Sequence, residues 1–378
     1  MTEIFRQFLL LGLISFGGPA AHVGYFHQRF VVQLQWLSDA DFARLLALTQ
    51  FLPGPASSQL GFAIGRLRGG VVGAFMAFIG FTLPSFLLMA LLAIYAAGLP
   101  AWLQGGVVTG LKWLAVVVVA DAVWNMGVRF CTAPLTRGLA LGVALLLVLW
   151  PTLWGQVAAL LLAAALGWCW LRPAHAKPVQ GRPAWRWLPL VIFTLLALLT
   201  LLPVGRLLSL WNDFFTAGAL VFGGGHVVLP LLQELVGPQM TPDSFLTGYA
   251  AAQAVPGPMF SLVAYLGAVL LPVSPWWGAL LATLAIFLPG FLLVLGMMDG
   301  WQWLSSRPAL AGAVAGINAA VVGFLLAALY QPVWVSAVQG VWDLVIVLAG
   351  FMVLRSKKVP LWGMVLGMAA LGVLAGLL

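Results

Sequence analysis

The stretch Ser15-Phe16-Gly17-Gly18-Pro19-Ala20-Ala21-His22-Val23 interrupts an apolar N-terminal segment. Its two glycines and proline stand where a membrane helix needs its backbone hydrogen bonds. A related stretch, Val221-Phe222-Gly223-Gly224-Gly225-His226-Val227-Val228-Leu229-Pro230, opens the second half, with Phe222 lying 206 residues beyond Phe16. The pair reads as two halves of one binding site, and the rest of the chain as the frame that holds them in a bilayer.

Composition sets that frame. Of 378 residues, 63% are hydrophobic and 7% charged, against about 25% charged in soluble domains. The chain reads as an all-α polytopic membrane protein, with apolar runs recurring from end to end. No stretch is polar enough for a separate soluble domain and no GxxxxGK[ST] motif occurs, so an ATP-driven motor within the chain is excluded. Cys131 and Cys169 lack CxxC spacing, and the four histidines form no cluster with Cys or Glu. No disulfide framework, metal site or cofactor is expected. The formal net charge of +8 sits largely in short loops, where it orients the chain and attracts anions rather than nucleic acid. Glu3 beside Arg6 argues against a cleaved signal peptide.

Along the chain, segment A (4–34) breaks at 17–19, and segment B (39–68) breaks at Leu52-Pro53-Gly54-Pro55-Ala56-Ser57-Ser58-Gln59. Segments C (70–97), D (106–128), E (138–150) and F (152–171) read as spans. A basic loop with Arg172, His175, Lys177, Arg182 and Arg186 follows, then a linker helix over 187–204. The pattern then repeats as 210–236, 241–271, 274–298, 310–331, 333–354 and 360–378. Pro256-Gly257-Pro258 answers Pro53-Gly54-Pro55, Leu288-Pro289 answers Leu83-Pro84, and Gly312 and Gly316 answer Gly106 and Gly110. The expected organisation is an N-terminal repeat (1–172), a basic cytoplasmic loop with its linker helix (173–205), and a C-terminal repeat (206–378).

Loop charge orients the repeats. Arg66 and Arg68, Arg129 and Arg137, the 172–186 loop, and Arg355 with Lys357 and Lys358 mark one side, while the alternate loops lack Lys and Arg. Lys and Arg mark the cytoplasmic side. Each span then alternates without conflict, the N-terminus is cytoplasmic and the C-terminus periplasmic. The second repeat starts on the opposite side from the first. Two inverted repeats joined by a linker transmembrane helix are a secondary-transporter architecture. Segments A and B either cross or re-enter. The mid-segment breakers, with flanks too short to span alone, favour re-entrant hairpins. The Trp-rich segment ends read as interfacial belts.

A helix that starts at Pro19 or Pro55 presents free N–H groups and a positive dipole end, a ready anion site. Gly17, Gly18 and Gly54 let backbone approach a ligand closely, while Ser57 and Ser58 add hydroxyls. Gly223, Gly224, Gly225, Pro256, Gly257 and Pro258 do the same in the second half, with Ser261 as the corresponding hydroxyl. His22 and His226 are the titratable members. Elsewhere, Arg66 could draw an anion to the entry, Lys112 and its repeat partner Asn318 are candidates for the pathway, and Asp121 and Asp343 are intramembrane carboxylates.

The motifs F-G-G-P-x-A-H-V at 16–23, Q-x-L-P-G-P at 50–55, F-G-G-G-H-V-V-L-P-L-L at 222–232 and Q-A-V-P-G-P at 253–258 resemble the chromate ion transporter family, in its long-chain, two-domain form. The resemblance covers nearly the whole chain. It implies a secondary transporter of the bacterial inner membrane that exports chromate and confers chromate resistance, with sulfate as competitor or alternative cargo, protons as a candidate coupling ion and a homodimer as a candidate assembly. Gln28 stands where the aligned position of the second repeat has Glu234, which leaves a paired acid there without support. A sulfate uptake or exchange carrier, a channel and an enzyme acting on lipid phosphate are the alternatives. The last needs clustered acids or histidines, and the nine Asp and Glu are scattered.

Overall fold

The computed structural model describes residues 1–378 apart from Gly17, 96–100, 172–183, 203–204, 223–224 and Leu378; the side chains at 20, 101–104, 206, 302 and 305 are also outside the description. Among the described residues there is helix and no strand. The basic positions Arg172, His175, Lys177 and Arg182 lie outside the described residues.

The first repeat opens with α1 (Thr2–Ile14), α2 (Gly18–Phe26), which runs on as a π-turn to Gln33, and α3 (Asp39–Phe51). Ser38 caps α3 by accepting from the Asp41 N–H at 3.1 Å, and Asp39 and Asp41 suit the positive end of its dipole. Each helix is about 20 Å long or less at 1.5 Å per residue, too short for a hydrocarbon core of roughly 30 Å. They fold back instead. Gln7 accepts from Arg29, and Phe8 stacks on Phe30 with centroids 4.7 Å apart, so α1 and the α2 arm run antiparallel from a tip at Ser15–Gly18. Arg68, at the end of the first arm of α4 (Ala56–Tyr95), lies over Trp36 just ahead of α3, so α3 and that arm also run antiparallel, from a tip at Leu52–Pro55; His22 ties the α2 arm to α4 at Ser57. Segments A and B are therefore helical hairpins, the shape expected of re-entrant segments.

α4 itself bends back on itself. Gly69 (φ −146°) and Gly70 (φ +62°) leave helical geometry, and Gly65 lies against the backbone of Gly73. Only hydrogen side chains permit that approach. The second arm of α4 then crosses the membrane, packed along α1.

After α5 (Ala101–Phe130), α6 (Pro134–Leu149), α7 (Leu153–Trp170) and the linker helix α8 (Trp187–Leu199), the arrangement recurs. α9 (Arg206–Leu220), α10 (Val228–Leu235) with a 3-10 lead from Gly225, α11 (Pro242–Ala254) and α12 (Leu262–Leu270) with a lead from Met259 form two further hairpins. Gly267 against Gly278 repeats the Gly65–Gly73 contact where α12 turns into α13 (Pro275–Met297). The short α14 (Trp301–Ser305), then α15 (Pro308–Ala328), α16 (Val335–Ala337), α17 (Val341–Ser356) and α18 (Leu361–Ala375) complete the chain. Five of the described helices are long and apolar enough to cross a membrane.

Ion pairs fix the inversion. Arg66, at the outer end of the α3–α4 hairpin, pairs with Asp299 beyond the far end of α13. Lys112, one crossing later and therefore at the opposite face, pairs with Asp243 at the outer end of the second repeat's hairpins. The two hairpin sets enter from opposite faces.

The repeats also exchange helices. α5 packs along α17 and α18, with Gly106 and Gly110 against Gly372, and α15 packs between α6 and α7, with Gly312 and Gly316 against Gly167. Small residues four apart let helices approach closely where the hydrophobic effect gives no drive between them. The expected E′ span starts late. Residues 329–337 extend α15 through a π-turn, and α17 begins at Val341. Asp343 is thus an N-terminal cap and not a mid-membrane carboxylate. It accepts from the Gln339 and Gly340 N–H groups at 2.9 Å each and from Trp113 Nε1 at 3.0 Å.

Candidate functional site

The hairpin tips meet in crossed pairs. The Gly54 N–H donates to Val221 O at 2.7 Å, and the Gly257 N–H donates to Ser15 O at 2.9 Å. These are the same bond made twice, each from the Pro-Gly-Pro tip of one repeat to the end of the first helix of the other. Gly54 (φ +123°) and Gly257 (φ +102°) hold backbone that L side chains rarely adopt. In both, the flanking prolines end one helix and start the next, as the sequence requires.

Beside the tips lies a cavity of about 490 Å³. Its tip side is lined by Pro19, Ala56, Ser57, Gly225 and His226, which are first-turn residues of helical segments starting at Gly18, Ala56 and Gly225. Its other wall is α5, which presents Asp121, Asn125 and Arg129, with Asn318 of α15 and Gln50 of α3 nearby. Asp121 accepts from Asn125 Nδ2 at 2.7 Å and pairs with Arg355 at 3.4 Å; Arg355 also donates to Asn125 Oδ1 at 3.0 Å. Arg129 donates to Gln50 Oε1 at 3.1 Å. N–H groups at helix starts, a hydroxyl, an amide and the Arg129 guanidinium make a site suited to an anion with several oxygens.

The sequence-expected residues divide between wall and frame. Ser57, Gly225, His226, Asp121 and Asn318 line the cavity. His22 is buried behind it, bonded to Ser57 Oγ at 3.2 Å and Ser15 O at 3.3 Å and edge-on to Phe81, so it ties one hairpin to the next. Pro53 supplies a carbonyl to Gln59 Nε2 at 2.8 Å, and Gln59 also reaches Gly290 O, so this amide braces the tip. Gly18 (φ +74°) starts α2 in open space, while Gly54 packs against Gly290 and Gln59. Pro55 precedes the first turn of α4. Ser58 and Ser261 are buried with hydroxyls that find no partner among the described residues. Pro256, Gly257 and Pro258 form the fourth tip, where Gly257 faces Ser85 and Phe81. Gly17, Gly223 and Gly224 lie outside the described residues.

Arg66 stands apart from the cavity. It donates to Val294 O, Leu295 O and the Asp299 carboxylate, which Arg186 also contacts at 2.8 Å. Lys112 is held by Asp243, likewise away from the cavity. Conversely, Asn125, Arg129 and Arg355 were not singled out for the site from sequence. The signal was present: Asp121, Asn125 and Arg129 are spaced four apart, a polar stripe along one face of an otherwise apolar helix. No group of three or more His, Cys, Asp or Glu that could hold a metal occurs among the described residues.

The sequence profile of the family described as "Chromate transporter" matches residues 2–168 and 208–373, one match per repeat. A "Chromate transport protein" of Cupriavidus metallidurans is 29% identical, over 99% of this chain and 93% of that protein. A "Probable chromate transport protein" of Synechococcus elongatus is 28% identical, over 95% and 92%. A "Chromate transport protein" of Pseudomonas aeruginosa is 28% identical, over 85% and 79%. No solved structure matches the chain.

Proposed function

The chain belongs to the chromate transporter family, and from that premise we propose that it is a secondary transporter that carries chromate out of the cytoplasm. The observation that carries this reading is the crossed pairing of hairpin tips beside a polar cavity. Helix starts from both repeats line one cavity, so the site belongs to neither repeat alone. The working unit takes in both repeats, 1–172 and 206–378, joined by 173–205. The named relatives that match over most of their length support chromate as the cargo.

Orientation follows from the basic loops. Arg66, Arg186 and Asp299 meet at one face, and Arg129 and Arg355 approach from the faces of their own basic loops. In this reading those faces are cytoplasmic, the N-terminus is cytoplasmic, the C-terminus periplasmic, and the membrane is the bacterial inner membrane. The cavity runs from the mid-membrane tips along α5 to Arg129, that is, towards the cytoplasm. A dianion leaving an interior-negative cell gains roughly 2.3 kcal/mol per charge per 100 mV, about 4.6 kcal/mol for two charges at a potential of about 100 mV. Import of the same ion would have to overcome that amount, which favours export.

The test is flux into everted membrane vesicles, whose lumen corresponds to the periplasm. With a lumen-positive potential, chromate accumulates in vesicles carrying the protein, and collapse of the potential abolishes it. Sulfate flux without chromate flux would replace this reading with a sulfate carrier. Conductance of unitary size in a planar bilayer would replace it with a channel.

A further inference from the structure

The α5 wall of the cavity carries more charge than helix starts need. Asp121, Asn125 and Arg129 follow one another at four-residue spacing, and Arg355 of α17 closes on the first two. The corresponding positions in the second repeat, 206 residues on, are Ala327, Gln331 and Val335. The charged stripe is therefore not part of the duplicated framework. It belongs to the one face of the cavity that α5 builds.

Its pairing is incomplete. Arg129 bonds to the neutral amide of Gln50, and no carboxylate pairs with it among the described residues. Arg355 divides itself between Asn125 Oδ1 at 3.0 Å and the Asp121 carboxylate at 3.4 Å. Both members of that ion pair keep contact with open space, with side chains 25% exposed for Asp121 and 38% for Arg355. A long, part-exposed pair is readily exchanged for another partner, unlike the buried Arg66 anchor.

Charge decides what that partner is. Arg129 lines the cavity, and Arg355, which does not, bonds to the wall residues Asp121 and Asn125 and lies over Trp124. Together the two guanidinium groups and one carboxylate carry one positive charge in excess, whereas a tetrahedral dianion matches two. A dianion that engages both arginines has to displace Asp121 from Arg355. Guanidinium binds such an oxyanion through paired N–H donors, the same geometry it offers a carboxylate. Resting on the anion-transport reading above, we propose that Arg129 and Arg355 are the two cations that hold the substrate dianion, and that Asp121 is a tethered competitor that holds Arg355 while the cavity is empty. The competitor keeps Arg355 in place without substrate and limits affinity, so that the anion can leave.

The experiment is isothermal titration of the full chain in detergent with sodium sulfate, a tetrahedral dianion with a fixed charge near neutral pH. Asp121→Asn keeps the shape and the Asn125 contact and removes the competitor; it lowers the sulfate Kd on the order of tenfold, equivalent to about 1.4 kcal/mol. The gain for nitrate, with one charge, is smaller. Arg129→Gln and Arg355→Gln each raise the sulfate Kd by a similar factor, and Lys358→Gln, on the basic loop beyond α17, leaves it unchanged. An unchanged or raised sulfate Kd in folded Asp121→Asn overturns the proposal, as does an equal gain for nitrate. If Asp121→Asn does not fold, Arg355→Lys decides: a severalfold weaker sulfate Kd supports the assignment and an unchanged one overturns it. Wild-type protein that binds neither sulfate nor chromate overturns the anion-site reading together with this one, whereas wild-type binding with indifferent variants overturns this one alone.

Discussion

Replacing Gly54 or Gly257 by alanine tests whether the crossed tips hold the fold together. Both glycines have φ well beyond the ordinary left-handed basin, +123° and +102°. A side chain there costs about 1–3 kcal/mol in backbone strain alone. A Cβ at 54 would lie 2.7 Å from Gln59 Nε2 and 3.0 Å from Gly290 Cα; a Cβ at 257 would lie 3.0 Å from Ser85 Oγ and 3.2 Å from Phe81 O. The Ser85 hydroxyl can rotate away. The Gly290 backbone cannot, and crowding of that kind adds roughly 1–3 kcal/mol. Gly54→Ala should then lose about 4 kcal/mol and Gly257→Ala about 3 kcal/mol. Gly70 is the control for strain without crowding: its φ of +62° with ψ −156° is also glycine backbone, but its Cβ would meet nothing within 4 Å, so Gly70→Ala costs about 2 kcal/mol.

The assay is thermal unfolding of the purified chain in detergent, followed by tryptophan fluorescence. At about 2 °C per kcal/mol for a chain of this size, Gly54→Ala melts roughly 8 °C below wild type, Gly257→Ala about 6 °C below and Gly70→Ala about 4 °C below. The crossed N–H bonds survive only if the tips keep their shape, so transport falls in the same order. Equal, small shifts for all three would refute the reasoning, because the tips would then tolerate the movement that the crossed bonds forbid.

His22→Ala removes bonds to Ser57 and Ser15 inside the protein and is expected to cost about 2–4 kcal/mol of stability while leaving the pH profile of chromate flux unchanged. Unaltered stability with a weaker anion Kd would make His22 a ligand instead of a strut. Gly110→Leu and Gly316→Leu drive a side chain into the backbones of Met368 and Ala163; each is expected to abolish folded protein in the membrane, measured as monodisperse yield on size exclusion, and a normal yield from either would refute the helix exchange. Arg66→Gln strips the Val294 and Leu295 carbonyls of their donor but leaves Asp299 with Arg186. Because Asp299 is 38% exposed, the loss is about 1–2 kcal/mol after screening, and the sulfate Kd stays at the wild-type value; a changed Kd would bring Arg66 into the site.

The breakers were legible because proline and glycine act locally: 52–55 and 255–258 end a helix whatever surrounds them. Loop charge was legible for the same reason, and the ion pairs Arg66–Asp299 and Lys112–Asp243 join segments that the loop charges put on the same side. What could not be read was which side chain faces which neighbour. Ser57 and His22 stand in adjacent motifs with similar chemistry, yet Ser57 reaches the cavity and His22 points behind it. Gln59, one turn into α4, is spent on Pro53 and Gly290. Arg129 and Arg355 counted only as orientation charges, since a basic residue at a helix end satisfies the loop rule whether or not its guanidinium turns inward. Asp343 reads as intramembrane only when a span over 333–354 is drawn through Gln339-Gly340, where the helix breaks at 338–340.

The exchange of helices between repeats constrains which parts can move. α5 is seated on α18 through Gly106, Gly110 and Gly372, and α15 on α7 through Gly312, Gly316 and Gly167, contacts so close that sliding would drive backbone into backbone. The hairpins form a second body, joined across the repeats by the tip bonds at Gly54 and Gly257 and backed by α13 and the second arm of α4. A division between sequence repeats would cut both sets of contacts. A division between the hairpins and the exchanged helices cuts neither, and the cavity lies along that second seam. Pro19, Ser57, Gly225 and His226 line it from the hairpins, Asp121, Asn125, Arg129 and Asn318 from the exchanged helices. Contacts across the seam are mixed: Val227 of the hairpins packs with Ala122, Val321 and Leu325 of the exchanged helices, while Arg129 meets Gln50 and Lys112 meets Asp243. The cavity proposed for the substrate thus lies where the two bodies meet, with helix starts on one side and the charged stripe of α5 on the other.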